Sequence, residues 1–353
     1  MSTSSHGHSS SCRVVKASDV ARPFSNEVAS QIQRSIDTAP HSARPTLVGF
    51  LCGSKDGPSA TYADWTRKAC EAVGIDYELR TIAGGEDAEQ AGGHAHGAAE
   101  LEAAILEANS DPGVNGIMVY YPTEAGQQQD SYIQHVVTRE KDVEGLNFSY
   151  LFNLYHNIRQ IDPQTLSLSL AHSAKKSAKQ AAGASQSEAF LVKSILPCTP
   201  LAIVKTLEHL GVYDGSLPYG ERAHGKVISV INRSEVVGRP LAALLANDGA
   251  RVFSVDVEDI QEYSRRPQLS SDESPYLPHH LVRDSKLSSQ DCLSISDVVI
   301  AGVPSKNYEI KTEWLKGGVV AINFSSEVNF DGDIKDKASI YVPAIGKTTI
   351  AML

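Results

Sequence analysis

Apolar and polar positions follow two alternating rhythms along this chain. Runs of four to eight apolar residues give way to stretches with apolar positions every three to four residues. Such alternation predicts buried strands interleaved with amphipathic helices. In the first half, PTLVGFLCG (45–53) reads as a strand and TYADWTRKACEAVG (61–74) as a helix stopped by Gly74. IDYELRTI (75–82) then reads as a strand, AAELEAAILEANS (98–110) as a helix, and VNGIMVYYP (114–122) as a strand closed by Pro122. TPLAIVKTLEHLGV (199–212) opens with a helix-start pair, Thr199 and Pro200, and stops at Gly211. A second series begins at Lys226 and continues through DVVIAGVP, GGVVAINF and SIYVPAI. The pattern predicts an α/β protein of two three-layer domains, each a mostly parallel sheet with helices on both faces, the second a Rossmann-type domain.

Composition narrows the function classes. The chain has 353 residues with a formal charge of −10, 41% hydrophobic and 21% charged. That length suits two domains. An acidic balance argues against nucleic acid as the main partner, and no apolar run approaches the ~20 residues of a membrane span. Five scattered cysteines without a CxxC pair fit free thiols in a reducing compartment, so a cytoplasmic location is expected. The first 20 residues, small and polar at the start, are expected to be a disordered tail. Two segments rich in Gly, Ala and Ser, near 84–98 and 162–192, look like surface insertions. His94 and His96 lie in the first, with no carboxylate or Cys at ligand spacing, so no metal site is expected.

The stretch KVISVINRSEVVGRPLAALLANDGARVFSVDVED (226–259) carries candidate chemistry. It reads as strand, turn, helix, strand, about thirty residues in all, as a dinucleotide-binding βαβ unit should. The usual three glycines are missing, and only Gly238 permits close backbone approach. The helix start still offers N–H groups and a partial positive charge to a pyrophosphate, with Arg233 and Ser234 in the turn. Asp256 lies eighteen positions after Gly238 at the second strand's end, where an acidic side chain accepts the ribose hydroxyls and repels a 2′-phosphate. Pattern alone leaves a ligand-free βαβ unit open; Asp256, followed by Val257, favours NAD over NADP. Arg233 pulls the other way.

The motifs INRSEVVGRPLAALL, KDVEGLN, LPCTP, YADWTRKACEAVG and TIAML resemble the methylenetetrahydrofolate dehydrogenase/cyclohydrolase family. In detail they are similar to its fungal monofunctional, NAD-dependent members. The resemblance implies a folate-binding catalytic domain over 21–197 completed by 341–353, an NAD-binding domain over 198–340, and a cleft between them. It implies hydride transfer from 5,10-methylenetetrahydrofolate to NAD, a tetrahydrofolate derivative as substrate, no metal in most members, and a homodimer built on the second domain's sheet edge. It places Tyr62 and Asp142 at the substrate, Glu144 and Cys198 in the catalytic group (the thiol as a positioning group), and Gly302, Val303 and Pro304 beside the nicotinamide ribose.

Departures from the family pattern bear on activity. Bifunctional members carry a Lys four residues after the Tyr matched by Tyr62; here that residue is Thr66, with Arg67 and Lys68 following. They have a Gln where this chain has Tyr120, and the family usually has Asp where Glu144 stands. A hydroxyl cannot replace an amine of tunable pKa, so cyclohydrolase activity is expected to be lost. Thr66, Tyr120 and Lys68 remain expected substrate-pocket residues. The AIGKTT segment is about one residue shorter than usual, and relatives continue past the position of Leu353 into a further helix. Two alternatives stay open: a bifunctional NADP-dependent enzyme, and a non-catalytic NAD- or folate-binding regulator.

Overall fold

The computed structural model describes residues 12–38, 44–52, 57–82, 94–123, 126–162, 191–266 and 276–353. Most of the expected insertions, and the first eleven residues of the expected tail, lie outside them. In chain order the elements are β1 (Arg13–Val14), α1 (Ala17–Thr38), β2 (Thr46–Cys52), α2 (Pro58–Val73), β3 (Asp76–Ile82), α3 (His94–Ser110), β4 (Gly116–Tyr120), α4 (Gln127–Val136), α5 (Phe148–Tyr155), β5 (Gln160–Ile161), β6 (Val192–Lys193), α6 (Cys198–His209), β7 (Val227–Ile231), α7 (Gly238–Asn247), β8 (Arg251–Val255), β9 (Ile260–Ser264), β10 (Leu281–Asp284), α8 (Ser289–Ile295), β11 (Val298–Ala301), β12 (Val320–Asn323), α9 (Ile334–Lys337), β13 (Ile340–Val342) and α10 (Gly346–Ile350). They divide into two compact units: Ala21–Leu201 with Thr349–Leu353, and residues to Val20 with Ala202–Thr348. No helix among the described residues is long and apolar enough to cross a membrane.

The first unit is built on a parallel sheet of order β3-β2-β4. The central strand β2 is apolar on both sides because both of its faces are covered. Val48 and Phe50 pack with Leu101 and Ile105 of α3 and Ile133 of α4. Leu47 and Leu51 pack with Ala63 and Cys70 of α2. Helix α2 ends as expected at Gly74, whose φ of 89° admits glycine readily and lets its N–H reach back to the last turn.

The second unit holds an eight-stranded sheet of order β1-β13-β12-β11-β7-β8-β9-β10. It is parallel from β1 to β8, and β9 and β10 extend it antiparallel. Alternate residues bury on opposite faces: Ile231, Val299 and Ala301 in one cluster with Leu293 and Phe330, and Ile228, Val230, Ile300 and Ile322 on the alternate positions, all buried. The chain runs outward from β7 to β8, then returns to lay β11, β12 and β13 on the other side. The switch point between β7 and β11 is where such sheets bind ligands.

Three boundaries differ from expectation. Residues 12–20 are not tail: β1 pairs with β13, and the Val15 N–H donates to the Tyr341 carbonyl at 3.0 Å. Residues 341–348 belong to the second unit, because β13 is held in its sheet by pairing with β12; only 349–353 complete the first. Residues 198–201 fall in the first unit, which gives it Cys198. The strands β9 and β10 were not foreseen, since IQEYS and LVRD are short and half polar, as sheet edges tend to be.

Candidate functional site

Strand β4 is an edge of the three-stranded sheet, so its outward N–H groups need acceptors from elsewhere. The segment after α4 supplies them. Ile117 N–H donates to the Lys141 carbonyl at 2.7 Å, and Val119 N–H donates to Glu144 Oε2 at 2.8 Å. The Glu144 carboxyl thus takes the place of a strand carbonyl. Asp142 shapes the turn that delivers it: Oδ1 accepts from the N–H groups of Glu144 and Gly145, at 3.0 and 2.9 Å, and Oδ2 from Asn147 N–H at 2.8 Å. Both oxygens of this buried carboxylate are engaged by backbone. Through these bonds Asp142 fixes the turn that carries Glu144.

Gly145 sits at φ 69°, and a Cβ there would meet the backbone of Leu196 and Pro197 at 2.7–2.9 Å. Its bareness lets the two segments pass closely, and Cys198 N–H donates to the Glu144 carbonyl at 3.2 Å. Tyr62 approaches from α2, within electrostatic reach of Cys198, Glu144 and Tyr120. Its ring meets that of Tyr120 edge-on at 6.0 Å.

Burial dominates the acid–base properties here. It pushes the Glu144 carboxyl up to about 8; the Val119 hydrogen bond pulls it down and the Asp142 charge pushes it further up. Burial likewise raises the Cys198 thiol to about 12 and lifts the Tyr62 phenol. Cys198 is a thiol and not a thiolate at neutral pH, which fits a positioning group.

Thr66 is fully buried one turn after Tyr62, as i,i+4 spacing requires. Its hydroxyl donates to the Tyr62 carbonyl at 2.9 Å, and it lies near enough to the Tyr120 phenol to help lower that group's pKa against the rise that burial imposes. Tyr120 in turn lies 2.7 Å from the Tyr77 hydroxyl. The two phenols meet over Gly49 of β2, where a Cβ would stand 2.3 Å from the Tyr77 oxygen. Tyr77 and Gly49 were missed by sequence reasoning, although an isolated glycine in an apolar strand signals a close approach. Lys68 is not brought to this group: its side chain is 62% exposed, with Nζ 2.5 Å from Asp64. Arg67 bonds Asp64 and Glu71 on the same outer face.

In the second unit the expected residues gather at the switch point. Asn232 follows β7 with φ 86°; its Nδ2 donates to the Gly302 carbonyl at 2.6 Å, bridging the ends of β7 and β11. Gly238 opens α7 under that loop, where a Cβ would fall 1.7 Å from the Asn232 carbonyl oxygen. Ser234 Oγ accepts from the N–H groups of Val237 and Gly238, both at 3.3 Å, and the Ser234 carbonyl from Arg239 N–H. These helix-start donors, expected to be open to a pyrophosphate, are capped internally.

Arg233 is also engaged. Its guanidinium bonds the Ser254 hydroxyl and carbonyl at the end of β8 and the Asp259 carboxylate. Asp256 is exposed at the same strand end, with Oδ1 accepting from Val257 N–H at 2.8 Å, and Val257 is 97% exposed. Beyond β11, Gly302 has its N–H on the Ile231 carbonyl and faces the Phe324 ring, which a Cβ would meet at 1.9 Å. Val303 is clamped by Asn329, which accepts from its N–H and donates to its carbonyl, and Ser325 donates to the same carbonyl. The backbone of Gly302 and Val303 therefore presents a fixed surface, with Pro304 following, rather than spare hydrogen-bonding groups. The clamp residues Asn329, Ser325 and Asp259 carried no recognisable spacing in the sequence. Among the described residues no group of three His, Cys, Asp or Glu could hold a metal ion; the side chains of His94 and His96 lie outside them.

Comparison with known proteins places these features in context. A family model for the tetrahydrofolate dehydrogenase/cyclohydrolase catalytic domain matches residues 15–144. The chain is 46% identical over 344 residues to the methylenetetrahydrofolate dehydrogenase [NAD(+)] of Schizosaccharomyces pombe, covering 97% of this chain and 91% of that protein. It is 47% identical over 346 residues to the protein of the same name from Saccharomyces cerevisiae, covering 97% and 93%. The solved structure of the NAD-dependent 5,10-methylenetetrahydrofolate dehydrogenase from Saccharomyces cerevisiae superposes with a TM-score of 0.78 at 46% identity, over 97% of this chain and 94% of that one. On this likeness across nearly its whole length, the chain belongs to the tetrahydrofolate dehydrogenase/cyclohydrolase family.

Proposed function

We propose that this chain oxidises 5,10-methylenetetrahydrofolate to 5,10-methenyltetrahydrofolate with NAD as acceptor, without hydrolysing the product. The observation that carries the second half is the fully buried Thr66 hydroxyl, bonded to the Tyr62 carbonyl where a cyclohydrolase of this family places an amine. The first half rests on the NAD-dependent relatives and on a dinucleotide turn whose residues suit an unphosphorylated ribose. An exposed Asp256 stands at the strand end with Glu258 and Asp259 beside it, and acids there repel a 2′-phosphate.

In the reaction the C–H bond of the one-carbon bridge breaks and its electron pair leaves with the hydrogen. Positive charge is left spread over N5, the carbon and N10. NAD supplies the hydride acceptor when bound. Glu144, ionised above about 8, stabilises the growing positive charge through a buried site of low dielectric. Tyr62, Tyr120 and Cys198 orient the folate, and Asp142 orients Glu144. Asp256 accepts the ribose hydroxyls, Gly238 and Ser234 shape the turn under the dinucleotide, and Val257, Gly302, Val303 and Pro304 provide surface against it. The enzyme works in cytoplasmic one-carbon metabolism as a homodimer. The open edge strand β10, where Leu281 and Val282 are exposed, supports a dimer at that sheet edge.

The test is a paired assay with methylenetetrahydrofolate and either cofactor, followed by added methenyl substrate. Faster turnover with NADP, or release of formyl product, would overturn the proposal. Analytical ultracentrifugation reads the dimer.

A further inference from the structure

We propose that Asp259 sets the cofactor preference of this chain by occupying the guanidinium of Arg233, which is placed to receive a 2′-phosphate. The inference rests on the reading that the Asn232–Gly238 turn and the end of β8 seat the adenosine ribose. An arginine near that ribose ordinarily welcomes the extra phosphate, whereas an acid at the strand end takes the hydroxyls. This chain has both, and the structure shows why the arginine does not act.

The Arg233 side chain is only 12% exposed, and each of its three nitrogens has a partner. Nε donates to Ser254 Oγ at 3.0 Å and Nη2 to the Ser254 carbonyl at 2.7 Å. Nη1 donates to the Asp259 carboxylate, and Nη2 also reaches the Asp259 carbonyl at 3.3 Å. Asp259 is itself fixed: its carbonyl accepts from Asp256 N–H at 3.0 Å, and its second carboxylate oxygen from Gln261 at 3.3 Å. The turn therefore ties Asp256, Asp259 and Arg233 into one unit. With the neighbouring Glu258 its formal charge is −2, from three acids (Asp256, Glu258, Asp259) less one base (Arg233).

Removing the Asp259 charge leaves two of the three nitrogens anchored on Ser254. The guanidinium stays in place with its charge uncompensated, and Nη1 faces at most a neutral amide oxygen that a phosphate can displace by charge-assisted hydrogen bonds. Asp256 alone therefore does not decide selectivity. It favours the ribose hydroxyls, while Asp259 removes the competing cation.

The experiment measures binding of adenosine 2′,5′-bisphosphate and of 5′-AMP to the full chain by calorimetry. It uses the wild type, Asp259→Asn, Asp259→Glu and the double variant Asp259→Asn/Arg233→Gln. The ratio of the two affinities is expected to move toward the bisphosphate by about tenfold in Asp259→Asn, the worth of one charge-assisted bond. It should stay at the wild-type value in Asp259→Glu, which keeps the charge, and fall back in the double variant. An unchanged ratio in Asp259→Asn, or an Asp259→Glu that behaves like Asp259→Asn, overturns the proposal. So does a loss of both ligands together, which would mark Asp259 as part of the ribose site or of the fold. Because these ligands report binding without turnover, a failed dehydrogenase assay leaves the outcome readable. Failure to bind either ligand to the wild type would instead reject the ribose-site reading itself.

Discussion

Around Glu144 the buried polar groups hold protons that burial makes hard to remove, while at the Asn232–Gly238 turn the side chains of Asn232, Arg233 and Ser234 are already bonded, to the end of β11, to the end of β8 and within the turn itself. The first arrangement stores chemical potential: a carboxyl near 8 responds to any charge that appears beside it. The second stores shape, with the loop fixed before any ligand arrives, so less conformational entropy is lost on binding. A hydride transfer needs both, a responsive field on the side that becomes charged and a preorganised seat on the other.

The sharpest break of this contrast is at Gly238. An alanine there would drive its Cβ to 1.7 Å from the Asn232 carbonyl oxygen and 2.8 Å from its carbon, both backbone atoms that cannot swing aside. Gly238→Ala is expected to destabilise the chain by about 3 kcal/mol, the upper range of overpacking, and to abolish NAD binding. Urea denaturation and an NAD titration read the two effects. Wild-type NAD affinity in this variant would mean that the turn is adaptable rather than preset.

Next comes Glu144→Gln, which keeps shape and removes charge. Turnover should fall about a hundredfold, the scale for losing one preorganised electrostatic group. In the wild type kcat/KM should rise with pH and level off above about 8, because the ionised form stabilises the cationic product; in the variant that rise should vanish. A profile that falls through 8 would mean the neutral acid is the active form. Stability gives an independent reading. The folded-state value lies above the ordinary 4.5, so the contribution of this group is full below 4.5 and is lost as pH rises toward 8. Glu144→Gln should therefore gain stability relative to the wild type across that window, measured as a pH series of denaturation midpoints.

The same contrast explains what was legible in the sequence. Strands β2, β4, β7, β8, β11, β12 and β13 could be placed because buried parallel strands are continuous apolar runs, and the half-polar β3 because its apolar residues recur between polar ones. The edge strands β1 and β10 and the strand β9 beside the edge could not, being short and half polar. Tyr62, Thr66 and Tyr120 were singled out by the resemblance to the family; helix spacing explains only why Thr66 shares a face with Tyr62, while Tyr120 comes from strand β4. The partners of Asp142, Ser234 and Arg233 within the protein could not be read for one reason: residue type announces a hydrogen-bonding capacity but not which of the protein's own groups use it. Asn329 and Asp259 were missed since their partners lie twenty or more residues away, as in Asn329 on Val303 and Asp259 on Arg233.

Tyr77→Phe sharpens the substrate side with a smaller effect. It deletes the hydroxyl 2.7 Å from that of Tyr120 without opening a cavity. The loss should be about 1 kcal/mol of stability, the net worth of a neutral hydrogen bond. KM for the folate should rise, kcat should change little, and methenyl hydrolysis should remain absent. A large fall in kcat would place Tyr77 in the reaction rather than behind it.

Lys68→Ala is expected to do least, and for that reason tests the boundary of the site. Its ammonium lies 2.5 Å from Asp64 on the outer face of α2, with most of the side chain in water. Exposed pairs of this kind contribute about 0.2–1 kcal/mol, and Asp64 keeps Arg67 as a second partner. Helix geometry gives the same answer from the other direction: position 68 is six residues past Tyr62, about 240° around the helix, whereas Thr66 at four is about 40° away. A lysine so turned cannot stand in for the amine that Thr66 replaces. Steady-state kinetics of Lys68→Ala should match the wild type within about twofold, and a loss of turnover there would move the site onto the face that the structure leaves to solvent.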